Sequence, residues 1–353
     1  MSRGLTAQAV AGPLGTRNST WGNRLIRLIR KLSFGIVTAL AAMTFSPTAR
    51  ADDVRLVVNV FPGLQNLPLF AAQDKGLFAK RGLAVEIQNT PNSQSQRDGL
   101  AQGQFQIAVA AVDNAVYMAD SGAADVVIVA GGDNGMNQLV VQPEIRSLKD
   151  IRGKVVLVDA PNTAYAFQLY RILELNGLKR GDYTVLPKGG TPLRMKSMVE
   201  DKANVAAILN PPFVFQAKAQ GLESMGPTVK FIGPYQGNGV IVLRAWAKAN
   251  GPVLIEYLQA LIAGTRWAME PKNKEAAIAM LADRLKIDRE LAAQSLPAAV
   301  GKGGGMAKDA GFDLNGFKNT LRLRAEFGDT GKAPAEPESY IDLSYYRQAI
   351  KGM

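Results

Sequence analysis

The 353-residue sequence predicts an α/β fold built as two doubly wound lobes. Three observations carry this. Strand and helix patterns alternate along the first two-thirds of the chain, which implies mostly parallel sheets covered by helices. The alternation occurs twice with matched spacing: Ile107 follows Gly82 by 25 residues, and Ala206 follows Gly181 by the same 25. Glycines also stand where helices must stop. Two halves of one pattern suggest two lobes with a cleft between them.

The first half opens with a strand over 54–60. A helix starts at Pro68, whose missing N–H suits a first turn, and Leu69, Phe70, Ala71 and Ala72 extend it toward a left-handed stop at Gly76. A short turn over 77–81 ends at Gly82, and Leu83, Val85 and Ile87 then alternate with Ala84 and Glu86 as a strand. A helix over 94–101 with its stop at Gly103, a strand over 107–110, a helix over 115–119 ending near Gly122 and a strand over 126–130 complete this half. The second half repeats the order. Its strands fall at 155–158, 183–186 and 205–209, and its helices at 164–175, 192–200 and 213–219, stopped near Gly177 and Gly221. After a strand over 240–243 the chain reads as helices at 252–267, 274–285, 289–296 and 315–327, with Pro252 and Pro271 at helix starts.

The leader sets the charge argument. Residues 1–51 hold seven basic side chains and no acidic one, then an apolar run over 32–45 and a small-x-small site at Ala49-Arg50-Ala51. This is the layout of a cleaved secretory signal peptide, with an apolar run too short to span a bilayer. Cleavage before Asp52 leaves 302 residues with 34 basic against 30 acidic side chains, so the formal +11 of the full sequence falls to +4. The basic excess that would suggest nucleic acid mostly leaves with the leader. No cysteine follows the cleavage site, so no lipid anchor is expected there.

The sequence has no histidine and no cysteine. Disulfides, His- or Cys-based zinc and copper sites, and Ser-His-Asp, Cys-His or histidine-base catalysis are all excluded. Carboxylates, Lys and Tyr remain as chemistry-bearing groups. The run Gly301-Lys302-Gly303-Gly304-Gly305 lacks the GxxxxGK[ST] spacing of a phosphate loop and follows no predicted strand, so it is read as a flexible connection.

Residues 67–87, LPLFAAQDKGLFAKRGLAVEI, resemble the opening of a family of periplasmic solute-binding proteins of ABC importers, which carry nitrate, taurine, alkanesulfonates and the pyrimidine precursor of thiamine. The closing DLSYYRQA at 342–349 also looks like that family's last helix. The resemblance implies a type II periplasmic-binding fold, with lobe 1 from residues 52–138 and 239–353, lobe 2 from 139–238, and a hinge where the chain crosses near 137–142 and 233–240. It implies a monomeric, periplasmic protein that is not an enzyme, needs no cofactor, and hands a small-molecule solute to a membrane permease driven by an ATPase. A fungal enzyme on the same fold consumes its own histidine to form a pyrimidine; this chain has none. An adaptor without a ligand is the other alternative.

Ligands of open parallel sheets bind outside the carboxyl ends of the strands, which directs attention to loops. Phe61, Gln65 and Asn66 offer an aromatic face and two amides. Asp113 and Asn114 stand where either contacts a ligand or caps a helix. Asp159, Asn162, Thr163 and Tyr165 open a helix whose free N–H groups favour an anionic oxygen. Thr191 and Asn210 face them by analogy, Phe213 is as consistent with core as with pocket, and Asp133 stands beside the expected hinge. Amides and helix starts suit a sulfonate, nitrate or carboxylate, whereas Asp113, Asp133 and Asp159 suit an amine or a nitrogen heterocycle.

Overall fold

The computed structural model describes residues 53–331 and 333–353. The expected signal peptide and its cleavage site lie outside the described residues. The first half runs β1 (Val54–Val60), α1 (Leu67–Asp74), β2 (Leu83–Asn89), α2 (Ser93–Ala101), β3 (Ile107–Ala111), α3 (Asp113–Asp120) and β4 (Val126–Ala130). The second runs β5 (Gln138–Val141), β6 (Val155–Val158), α4 (Ala164–Leu175), β7 (Thr184–Pro187), α5 (Thr191–Glu200), β8 (Asn204–Leu209), α6 (Phe213–Ala219), β9 (Glu223–Pro227) and α7 (Val229–Ile232). There follow β10 (Asn238–Leu243), α8 (Arg244–Ala249), α9 (Gly251–Met269), α10 (Lys274–Leu285), α11 (Arg289–Val300), α12 (Leu314–Phe327) and α13 (Ser344–Lys351). The turn chemistry of the opening holds, with Gly76 and Gly82 both left-handed at φ 64° and 68°.

The strands form two five-stranded sheets of the same plan, β2-β1-β3-β10-β4 and β7-β6-β8-β5-β9. In each, the first three strands pair in parallel. The fourth, β10 or β5, is antiparallel to both neighbours. Each of these is the strand on which the chain arrives from the other sheet, so it enters from the opposite end. The result is a bilobed α/β fold. β5 lies in the stretch expected only as a crossing, and β9 escapes a pattern search because its five residues include Gly226 and Pro227, poor strand formers tolerated at an edge.

The two crossing segments touch at Gly135 and Gly237. A Cβ on Gly237 would lie 2.0 Å from the Gly135 nitrogen. The Asp133 carbonyl accepts from the Gly237 N–H at 2.8 Å and so ties the two segments together.

Helices cover both faces of each sheet. Val58, Val60, Val127 and Val242 of the first sheet pack with Leu254, Tyr257 and Leu258 of α9. Val141, Val156 and Ile208 of the second pack with Phe167, Leu169 and Leu173 of α4. α12 packs on both. Phe317 and Leu321 join the cluster around Ile128 and Ile241 of the first sheet. Leu323 joins the core of the second, and the Phe327 ring stacks on Phe167 with centroids 6.3 Å apart. It can do so because its N-terminal half follows the second crossing, where Gln236 Oε1 accepts from the Asp313 N–H at 2.7 Å.

Candidate functional site

The strand ends that the sequence patterns place at one edge of each sheet do meet. A narrow cavity is walled on one side by Phe61, Gln65, Ser93, Asn114 and Asn238, and on the other by Asp159, Thr163, Tyr165, Thr191, Arg194 and Asn210. The first set belongs to loops and termini at the first sheet, the second set to those at the second.

Hydrogen bonds cross between the two walls. Asn210 Nδ2 donates to Gln65 Oε1 at 3.0 Å, and Ser93 Oγ donates to Asp159 Oδ2 at 2.5 Å. The backbone joins in through Leu64 N–H to the Pro211 carbonyl and Gly190 N–H to the Pro91 carbonyl, both at 3.1 Å. Gln65 is itself held by donating to the Phe61 carbonyl at 3.1 Å.

The electrostatics centre on Arg194, which is 1 % exposed. Its guanidinium donates to the carbonyls of Gly189 and Ile208 and to Thr191 Oγ1, and it lies over the Tyr165 ring at 4.7 Å. All these partners are neutral oxygens, so a full positive charge stands buried at the cavity without a carboxylate in contact among the described residues. Burial pulls the Arg194 pKa below its ordinary value, while Asp159 and Tyr165 push the other way. Burial likewise raises the Tyr165 phenol to about 12, so it remains a neutral hydroxyl. Two acceptors at the cavity are buried without a partner among the described residues, Asp159 Oδ1 and Asn210 Oδ1. A second basic group stands behind Asn114: Arg97 Nη1 donates to Asn114 Oδ1 at 2.9 Å, with Arg97 stacked on Tyr117. The cavity therefore offers a cation, a carboxylate with one free oxygen, and amide and hydroxyl groups.

Of the residues singled out from the sequence, Phe61, Gln65, Asn114, Asp159, Thr163, Tyr165, Thr191 and Asn210 line this cavity. Thr163 precedes α4, yet its hydroxyl donates to the Ala160 carbonyl instead of capping the helix. Five others do not line it. Asp113 is consumed by an ion pair with Arg324. Asn162 points to that same arginine and to Asp329. Asn66 and Asp133 line a separate small cavity beside the crossing, where Asp133 accepts from the Gly135 N–H and the Asn238 side chain. Phe213 is half-buried at the start of α6, away from both.

Sequence reading missed Ser93, Arg194 and Asn238. Arg194 carried a signal: Thr191, Arg194 and Met198, spaced i, i+3, i+7, are the buried residues of α5, which puts a charge on the helix's inward face. A charge at an inward position needs a partner, and here the partners are carbonyls and a hydroxyl.

Comparisons with known proteins agree with this architecture. A protein of Bordetella bronchiseptica RB50 shares 18% identity, with 85% of this chain and 98% of that one covered at a TM-score of 0.74. The periplasmic nitrate-binding protein NrtA of Synechocystis PCC 6803 shares 16%, covering 85% and 89% at 0.70. The alkanesulfonate-binding protein SsuA of Xanthomonas axonopodis pv. citri, bound to MOPS, shares 16%, covering 81% and 96% at 0.66. At these identities the likeness is one of fold, the bilobed periplasmic-binding-protein fold. No curated protein matches the chain. The family model described as NMT1/THI5 like matches residues 64–274. That span covers more than half of the sequence, from the loop after β1 to the start of α10, and the chain belongs to the NMT1/THI5-like family.

Proposed function

We propose that this chain is the periplasmic solute-binding component of an ABC-type importer, which captures a small organic anion by closing two lobes around it. The observation that carries the reading is Arg194, a buried guanidinium on the wall of a cavity shared by the two sheets, with only neutral partners. Leaving an isolated charge out of water is costly, and an anionic ligand between the walls compensates it. Nitrate and alkanesulfonate, the ligands named for the structural relatives NrtA and SsuA, are likewise small anions.

In this reading residues 52–138 and 239–353 form one lobe and 139–238 the other, and the crossings near Gly135 and Gly237 act as the hinge. Closure brings the loop at Phe61 and Gln65 onto Asn210, and Ser93 onto Asp159, burying the solute. The closed form then docks on a membrane permease that an ATPase drives. The chain does no chemistry of its own and needs no cofactor.

A second reading rests on a separate observation. The free oxygens of Asp159 and Asn210 are hydrogen-bond acceptors, and they suit an amine or the amino group of a nitrogen heterocycle.

A thermal-shift screen across nitrate, sulfonates, carboxylates, amines and pyrimidines tests the proposal. A ligand at a hundredfold excess over its Kd stabilises the folded state by about 2.7 kcal/mol, so a clear rise in Tm is expected with one anionic class. A flat response to every class would refute solute capture.

A further inference from the structure

A second cavity lies beside the first crossing and shares no lining residue with the cleft. Its walls come from three stretches: Asn134 and Met136 to Gln138 of the first crossing, Pro227 at the end of β9 with Val229 and Lys230 of α7, and Ala298 of α11 with Gly303 and Gly305 beyond it. Both glycines belong to the run Gly301-Lys302-Gly303-Gly304-Gly305.

Asn137 is the chemically telling residue here. It is 4 % exposed, and its Oδ1 is buried without a partner among the described residues. Gln168 Oε1 accepts from the Thr228 hydroxyl at 2.9 Å and from the Asn137 NH₂ at 3.2 Å. The carboxamide oxygen is thereby left over, on a residue that lines the cavity. Such an orphan costs free energy unless a donor meets it. Lys230 stands on the same wall, exposed and without an ion pair among the described residues. Met136, Pro227, Val229 and Ala298 add apolar surface beside the amides of Asn134 and Gln138.

We propose that this cavity is a second solute site, which takes a small acid carrying an N–H or O–H donor next to its anionic group. The donor meets Asn137 Oδ1, the anion meets the Lys230 ammonium, and the carbon skeleton rests on Met136 and Val229. Because its walls come from the crossing, from the β9–α7 junction and from α11 and the loop after it, occupancy ties together segments that lobe closure would move. The site shares no lining residue with the cleft cavity.

Titration of the full mature chain with glycolate, followed by ¹⁵N NMR, tests this. Glycolate should shift the Asn137 side-chain amide and the Gly303 and Gly305 backbone amides. Acetate, which lacks the donor, and ethylene glycol, which lacks the anion, should each bind about tenfold more weakly. Lys230→Glu, at an exposed position that leaves the core untouched, should weaken glycolate about tenfold. The cleft variant Asn210→Ala should leave the glycolate response in place. Absence of shifts at these three amides, equal binding of acetate, indifference to Lys230→Glu, or loss of the response in Asn210→Ala would each overturn the proposal.

Discussion

Arg324 and Asp113 form a two-pronged ion pair with both side chains 1 % exposed. Nε donates to Oδ1 at 2.5 Å and Nη2 to Oδ2 at 2.7 Å, across 211 residues of sequence. The same guanidinium reaches Asn162 Oδ1 at 3.2 Å, beyond the start of the second sheet. α12 is thus fastened at one charge to the start of α3 and to the loop before α4.

Asp113→Ala should destabilise the fold by about 3–5 kcal/mol, because it strands a buried guanidinium without its counter-charge. Asp113→Leu combined with Arg324→Met should recover much of that loss, since two apolar groups of similar volume need no pairing. Urea unfolding of the three proteins decides it. A double variant no more stable than Asp113→Ala would show that packing around the pair, and not the stranded charge, sets the cost.

At the contact of the crossings, Gly237→Ala should cost about 1–3 kcal/mol, as expected for overpacking against a neighbour that cannot move aside. The neighbour here is backbone: the new Cβ would sit 2.0 Å from the Gly135 nitrogen and 2.5 Å from its Cα. Gly233→Ala offers a contrast of strain without clash, since no atom lies within 4 Å of its Cβ position while its φ is 84°. Thermal unfolding compares them, and a Gly237→Ala Tm equal to wild type would rule out the tight crossing.

Burial raises the pKa of Asp133, with hydrogen bonds from Asn238 and Gly135 opposing the shift. A carboxyl whose folded pKa lies above its unfolded value binds its proton more tightly when folded. Its contribution to stability is therefore complete below the unfolded value, near 4, and is lost as pH rises through the raised folded value. Asp133→Asn removes that loss and keeps an oxygen for the Gly135 N–H. The stability difference between variant and wild type should move in the variant's favour as pH climbs out of the acid range, then level off. Chemical denaturation at a series of pH values measures it, and a difference independent of pH would contradict the shift.

Local rules made the scaffold legible, and they stopped short at pairs distant in sequence. The helix over 164–175 and the strand over 126–130 match α4 and β4 end to end, because their apolar periodicity and flanking breakers are complete within the segment. Loops at strand ends are legible for the same reason, and Phe61, Asp159 and Asn210 of those loops line the cavity. The role of Asp113 is not legible in sequence because its partner Arg324 sits in α12, which only folding brings alongside. Arg194 is hard to read from sequence because a charged residue in an amphipathic helix is ordinarily solvated, and only the inward spacing shared with Thr191 and Met198 argues otherwise.

The contrast between Arg194 and Asp159 decides the ligand's charge. If the solute is an anion, Arg194→Gln removes a charge-assisted contact and should weaken binding by about 2–5 kcal/mol, whereas Asp159→Asn removes a repelling carboxylate and should leave affinity equal or improved. If the solute is bound through an amine, the order reverses: Asp159→Asn is the damaging change and Arg194→Gln the mild one. Folding must be separated from binding, because Arg194 also donates to Ile208, Gly189 and Thr191. Calorimetric titration at a temperature well below each variant's Tm does so. Since Ser93 Oγ donates to Asp159 Oδ2, Ser93→Ala should free the second carboxylate oxygen without changing charge. It should therefore weaken closure for either ligand class, and an effect confined to one class would show that Ser93 touches the solute instead of holding the lobes.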